Sequence, residues 1–524
     1  MFAELLPRKA SYHPGEAIEI EIRGDASGRL VVRHLGDIVH EADHAGGEIV
    51  LPDLPEGGYS VELGALRTAI EVAAEPRRRL RYGFVASYAP DKDVSGLSDT
   101  VRRLHLNGVQ FYDWAYRHAD LMGGGESYRD ALNQPIALST VRTLVRAVQD
   151  AGARALGYAA VYAAGPHEWH QWQHQALLQA NGEPHALGDF LFILDPAATD
   201  WLAHFTADLK SATASLGFDG YHLDQYGYPK RAVRADGAVV DVAQSFVTLI
   251  EAVREALPDG HLVFNNVNDF PTRRTASSPQ DAVYIEPWAP QLTLQALADT
   301  VTRARAFGAG KPVVLAAYQH VYDSAPAETA DRATALTMAA LYSHGATQLL
   351  AGEADRLLCD PYYVRNHQMA PSTAALLKRW YDFLVAHDAL LMPTEATDIT
   401  DAFAGPYNGD LDVSFAGATV SERAEHGKVW RRMVQVGDRI VIHLINLCGQ
   451  TDTLWDAPRQ PPADAGAATL TIGRLANVVR RVSVADPDGN GHLIEVAPMT
   501  EGDTPSYALP RLGIWQVVVI DLQA

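Results

Sequence analysis

A chain of 524 residues, 47% of them hydrophobic, holds more apolar material than one ordinary domain buries, so two to four domains are expected. Its 64 acidic side chains outnumber 43 basic ones, and the formal net charge of -21 is spread along the sequence, which disfavours nucleic acid and other polyanions as partners. With two cysteines, Cys359 and Cys448, no CxxC or HExxH, no glycine-rich nucleotide loop and no run of about 18 apolar residues, the chain also argues against a disulfide framework, a zinc site, a nucleotide cofactor and a membrane segment.

Met1 to Pro14 shows neither a basic start followed by an apolar run nor a small-residue cleavage site, so a cytoplasmic location is expected, or a secreted one if a leader has been removed. Residues 1–78 carry short alternating runs, such as residues 17–22 and 28–32, separated by turn signals at Pro14-Gly15 and Glu56-Gly57-Gly58. This pattern predicts a small β-sandwich. Over 79–396 brief apolar strands alternate with longer amphipathic segments, as in successive βα units. Eight strands start near Tyr82, Val109, Ala155, Gly220, Leu262, Val283, Val313 and Gln348, the number that closes a (β/α)8 TIM barrel, with one long insertion after the third. From 397 to 524 helical periodicity is lost, and stretches such as 434–447 and 512–522 predict an antiparallel β-sandwich.

A barrel of this kind works at the carboxyl ends of its strands, so the side chains standing there are informative. Strand 2 ends in Tyr112, Asp113 and Trp114 with Arg117 and His118 beyond, and strand 3 in Tyr158 and Tyr162. Strand 4 ends in Asp224, Gln225 and Tyr226, and strand 5 in Asn265 and Asn268. Trp288, Tyr318, Gln319 and Glu353 follow strands 6 to 8. Aromatic rings beside amides and carboxylates suit a sugar, whose faces stack on flat apolar surfaces while its hydroxyls need directional partners.

Alternation puts Gly220, His222 and Asp224 on one face of strand 4, and at about 3.3 Å per residue Asp219 sits about 16 Å below Asp224, which leaves Asp224 at the mouth. Glu286, two strands around the rim, can face it. Two carboxylates about 5 to 5.5 Å apart give double displacement with retention. Pro287 and Trp288 should desolvate Glu286 into an acid, whereas His222, Gln225 and Tyr226 should keep Asp224 charged.

Each of these residues also has a plainer role. Asp113 could pair with Arg117, and Asn265, Asn268 and Gln319 could satisfy loop backbone rather than sugar hydroxyls. His167, His170 and His174 lack a further ligand at metal spacing, so the stretch from Trp169 to Trp172 is expected to form a lid or a stacking wall, and no metal or cofactor is expected. The cysteines are expected to be small buried hydrophobes.

Four segments resemble glycoside hydrolase family 66: residues 111–114, 217–224, 284–288 and 358–363. The family comprises endo-dextranases and cycloisomaltooligosaccharide glucanotransferases acting on α-1,6-linked glucan. The resemblance covers nearly the whole chain and implies an immunoglobulin-like sandwich before the barrel and a β-domain after it. It also implies Asp224 as nucleophile and Glu286 as acid/base. The chain departs from the family pattern at Tyr221-His222-Leu223, where Trp-Gln-Gly is usual, and many members carry a signal peptide. The cyclising enzymes carry a carbohydrate-binding module inside the barrel, for which there is no room between Gln319 and Gln348. A cyclising transglycosylase, an exo-acting hydrolase, a non-catalytic glucan-binding protein and a metal-dependent barrel enzyme are the competing functions.

Overall fold

The computed structural model describes residues 3–403, 407–500 and 502–523. The alternating residues near the N-terminus form strands, with Ile18 and Ile20 buried and Glu19 and Glu21 turned outward. Glu4–Pro7, Ile18–Arg23 and Ile49–Leu51 make a three-stranded antiparallel sheet. A four-stranded sheet is built from Asp37–His44, Gly28–His34, Gly57–Leu63 and Leu66–Val72, in that spatial order. Leu5, Ile20, Val32, Ile49, Val61 and Ile70 pack together into a core drawn from both sheets.

The centre of the molecule is a curled eleven-stranded sheet. Its strands are β1 Tyr82–Val85, β2 Gly108–Phe111, β3 Arg154–Ala160, β4 Gly220–Asp224, β5 His261–Val267, β6 Ala282–Glu286, β7 Val313–Leu315, β8 Ala346–Gln348, β9 Ala351–Gly352, β10 Arg356–Leu357 and β11 His367–Gln368. The order is β8-β7-β6-β5-β4-β3-β2-β1-β9-β10-β11, and every neighbouring pair from β8 round to β9 is parallel. β8 and β9 are one stretch of chain interrupted at Leu349-Leu350, so its first half pairs with β7 and its second half with β1. A Cβ on Gly352 would lie 2.1 Å from the Phe84 carbonyl oxygen, so this junction requires glycine.

Strands buried on both faces read as continuous apolar runs, and β6 is one, with Ala282, Val283, Tyr284 and Ile285 all buried. Helices α1 Leu97–Arg103, α2 Leu138–Asp150, α3 Thr199–Leu216, α4 Val242–Ala256, α5 Leu294–Phe307 and α6 Ala327–Ser343 lie in the connections between strands, and α7 Pro371–Ala386 follows β11. α2 shows why these segments are helical: Leu138, Val141, Leu144, Val145 and Val148 recur at helical spacing and are buried.

Beyond α7 the chain forms a seven-stranded and a four-stranded sheet around Leu411, Met433, Leu444, Leu470 and Val518. The stretch 434–447 belongs to a hairpin, Val429–Val436 and Arg439–Asn446, turning at Gly437, and Trp515–Leu522 supplies the expected last strand. A fully buried ion pair ties the N-terminal sheet to the central one, Arg81 donating to both Glu71 carboxylate oxygens at 3.0 and 2.7 Å. Both cysteines are free and buried. No helix among the described residues is long and apolar enough to cross a membrane.

Candidate active site

Asp224 is the last residue of β4 and Glu286 the last of β6, with β5 between them. Alternation along β4 sends Tyr221 outward, where its hydroxyl donates to the Leu209 carbonyl of α3 at 2.7 Å, and His222 inward. The His222 ring lies edge-on to Tyr284 at 4.6 Å and parallel to Tyr158 at 6.1 Å. Asp219, at the other end of the strand, accepts from the Ala155 N–H and the Gln149 amide and has no part in the mouth.

One side chain on β5 links the two carboxylates. The Asn265 Nδ2 donates to Asp224 Oδ1 at 2.7 Å and to Glu286 Oε2 at 3.5 Å, so those two oxygens are at most about 6.2 Å apart. Tyr158 donates its hydroxyl to the other Asp224 oxygen at 2.7 Å, and Tyr318 to Glu286 Oε1 at 2.7 Å. Burial raises the pKa of both acids. For Asp224 the donors Tyr158 and Asn265 oppose that rise. Glu286 is pushed up to about 7, by burial first and then by the neighbouring charge of Asp224, with Tyr318 opposing. Glu286 is therefore the carboxyl that titrates close to neutral pH, beside a partner whose charged form two hydrogen-bond donors favour.

These groups border a cavity of about 240 Å³. Of the residues expected to contact substrate, Tyr112, Asp113, His118, His222, Tyr226, Asn265, Trp288 and Tyr318 line it. Asp113 is pushed up to about 8 by burial and by the charges of Asp130 and Asp224. It makes no pair with Arg117, whose guanidinium donates to the Tyr116 and Arg129 carbonyls. Burial holds His222 down to about 3 and His118 to about 4, so both rings are neutral.

Five expected contacts lie outside the cavity. Trp114 is buried against Phe218 and donates to the Tyr158 carbonyl, because Asp113 takes a left-handed φ of 46° and turns the chain before it. Tyr162 stacks behind Tyr226 at 5.4 Å and accepts its N–H, so it supports a lining residue without being one. Asn268 holds the next loop, accepting from the Trp288 N–H and donating to the Ala289 carbonyl. Gln319 is fully buried against Thr334 and Thr337 of α6. Glu353 accepts from the Ala86 and Ser87 N–H groups and pairs with Lys92.

The stretch Trp169 to Trp172 does not reach the cavity either: Trp169 stacks on Phe192 and Trp172 packs on Trp201. The wall on that side comes from Leu187, Phe190 and Leu191 of the same insertion. The three nearby histidines are exposed, and no group of three metal-binding side chains occurs among the described residues. Tyr363 was not expected; it stacks on Tyr112 at 4.1 Å, 14° from parallel, and its hydroxyl meets that of Tyr284 at 3.0 Å. Alternation could have found Gln110 and Tyr284, which stand two residues before Tyr112 and Glu286 and also line the cavity.

Paired carboxylates over an aromatic floor, at the carboxyl ends of parallel strands, define a glycoside hydrolase. The chain belongs to glycosyl hydrolase family 66, whose profile it matches over residues 7–519. It is 22% identical to a cycloisomaltooligosaccharide glucanotransferase of Niallia circulans over 693 aligned positions, covering 97% of this chain and 71% of the relative. A second such enzyme of that organism is 25% identical over 60% of this chain, and the dextranase of Streptococcus salivarius 26% identical over 40%. In these last two the match spans only 38% and 29% of the relative's own length. A Paenibacillus cycloisomaltooligosaccharide glucanotransferase, solved with cycloisomaltoheptaose, shares the fold with a TM-score of 0.88 at 19% identity, covering 99% of this chain and 100% of that one. An Anoxybacillus α-amylase is a more distant fold relative, with a TM-score of 0.54 at 11% identity over 86% of this chain and 99% of its own.

Proposed function

We propose that this protein is a retaining glycosidase that cleaves α-1,6-linked glucan, with Asp224 as nucleophile and Glu286 as acid/base. The observation that carries this reading is the single Asn265 amide nitrogen within reach of both carboxylates. A bound of about 6.2 Å between these two facing oxygens accommodates the roughly 5 to 5.5 Å of a retaining pair and supports that reading over an inverting pair held roughly 6.5 to 9.5 Å apart. Attack then falls to Asp224, whose carboxylate forms a bond to the anomeric carbon as Glu286 passes its proton to the departing oxygen. Glu286, now ionised, takes a proton from the incoming water, the ester to Asp224 breaks, and the α configuration returns.

Three residues that line the cavity each carry a buried polar atom with no protein partner, Asn265 Oδ1, Tyr226 Oη and His118 Nδ1, as expected of groups reserved for a polar ligand. Trp288 and the stacked Tyr112 and Tyr363 offer flat faces to the ring. The choice of an α-1,6 glucan rests on family membership and on the names of the relatives above. The central sheet, with one interrupted run pairing at both β7 and β1, is read as a closed (β/α)8 barrel spanning 79–396. The smaller sheets before and after it are read as an immunoglobulin-like sandwich over 1–78 and a C-terminal sandwich over 397–524. Proton NMR of a fresh dextran digest tests the reading: the α-anomer should appear first, and β-product at the earliest time point would overturn the retaining assignment.

A further inference from the structure

A second cavity, of about 230 Å³, adjoins the first, sharing Trp288 and Tyr318 with it. The remaining lining includes Leu292 and His320, which follow β6 and β7, and Leu454 and Asp456, which lie in the C-terminal third of the chain. The fold has taken care to place that distant segment here. The Leu294 N–H donates to the Thr453 carbonyl at 2.9 Å, the Trp455 N–H to Leu292 at 3.2 Å, and the Trp455 indole to the Gln291 carbonyl at 2.7 Å. From the other side Arg459 donates to Asp452 at 2.7 Å. The wall is therefore preformed rather than a loose loop.

Its chemistry is that of a sugar site. Leu292 and Leu454 remain 46% and 40% exposed, and an indole face and a phenol stand beside them. A single polar pair, His320 Nδ1 with Asp456 Oδ2 at 3.1 Å, sits in the same lining, with the other Asp456 oxygen accepting from the Val321 N–H. Apolar faces with a few fixed hydrogen-bonding groups match a pyranose. The position defines which sugar. Tyr318 is the residue that donates to Glu286, so the second cavity opens on the proton donor's side, away from Tyr158 and Asp224.

We infer that this second lobe, completed by the C-terminal segment 454–456, binds the glucosyl units on the leaving-group side of the scissile bond and admits an acceptor sugar in transfer. This rests on the retaining reading above. In the transfer step an acceptor hydroxyl oxygen bonds to the anomeric carbon, the bond to the Asp224 carboxylate breaks, and the hydroxyl proton passes to Glu286.

The test compares kcat/KM for isomaltohexaose with that for isomaltotriose in the wild type, Leu454→Asp and His320→Ala, each checked for folding by thermal melt. Leu454 is exposed enough for the charge to be tolerated in the fold. The wild type should favour the longer substrate, and Leu454→Asp should reduce that preference by roughly tenfold, with His320→Ala moving in the same direction. A wild type without length preference, or an unchanged ratio in both variants, overturns the lobe assignment while leaving the catalytic reading intact. A wild type that cleaves neither oligosaccharide overturns the functional reading itself and this one with it.

Discussion

Tyr318→Phe isolates one of the forces that set the acid. The phenol donates to Glu286 Oε1 at 2.7 Å, and of the groups opposing burial and the Asp224 charge its bond is the largest. The ring is 3% exposed, so phenylalanine keeps the packing and removes only the donor. A hydrogen bond to an ionised group contributes about 1.5–3 kcal/mol, part of which the protonated acid retains. A net preference of about 1.4 kcal/mol for the carboxylate corresponds to about one pH unit. Donation stabilises the ionised form and holds the pKa down, so without it Glu286 keeps its proton to higher pH. Activity that needs the acid form is present below this pKa and lost as pH rises through it. The alkaline limb of kcat/KM, which reports the free enzyme, should therefore move up by about one unit from its position near 7. Tyr158→Phe acts on the partner: it removes a donor to Asp224, which then protonates at higher pH, so the acid limb moves up instead. Asp113, pushed up to about 8, is the neighbour whose titration could be mistaken for that of Glu286. Asp113→Asn should leave the alkaline limb in place. An unmoved or lowered alkaline limb in Tyr318→Phe, or its disappearance in Asp113→Asn, would refute the assignment of the acid to Glu286.

Glu286→Gln should lower kcat by about 10²- to 10⁴-fold and Asp224→Asn by at least as much, with melting temperatures within a few degrees of wild type, as measured on dextran and by calorimetry. Gly220→Ala should destabilise the protein by roughly 1–3 kcal/mol or more in urea titrations, since a Cβ there would lie 2.0 Å from the His261 carbonyl oxygen. Glu71→Ala should cost about 3–5 kcal/mol by leaving the buried Arg81 charge unpaired. Against the burial that would raise it, Arg81 keeps the Glu71 carboxyl below its ordinary value, so this contribution is present above the unfolded-state pKa and lost as pH falls through the folded one. The stability difference between wild type and Glu71→Ala should accordingly shrink in acid.

The parallel strands were legible because strands buried on both faces leave short, uninterrupted apolar runs, and each of the eight runs has its counterpart among β1 to β9. The last differs in detail. Its run begins at Ala346 rather than Gln348 and breaks at Leu349-Leu350, since one stretch of chain pairs with β7 through Ala346–Gln348 and with β1 through Gly352. Pairing partners are long-range facts that local hydrophobicity does not encode. The insertion after β3 carries no such period, and its cavity-wall residues Leu187, Phe190 and Leu191 could not be told from Trp169 and Trp172, which are also apolar but pack on Phe192 and Trp201.

At the site, alternation served wherever the backbone stayed extended and failed where it did not. It separated Asp224 from Asp219 and placed His222 inside, because β4 is regular to its last residue. Tyr318 and Gln319 lie past the end of β7, where the Tyr318 N–H donates to the Ala316 carbonyl and the His320 N–H to the Tyr318 carbonyl, so strand alternation no longer applies and the two part company, one to the cavity and one to α6. Trp114, Asn268 and Glu353 are a different case. Asp113, Asn268 and Glu353 all adopt left-handed backbone, with φ of 46°, 53° and 47°, so parity is lost at or just before each of the three. Such turns at strand ends re-aim side chains, and here they convert three polar or aromatic residues into supports: Trp114 under Tyr158, Asn268 under Trp288, Glu353 under the loop after β1. Substituting them should therefore disturb the geometry of the lining residues they hold rather than remove a contact with sugar.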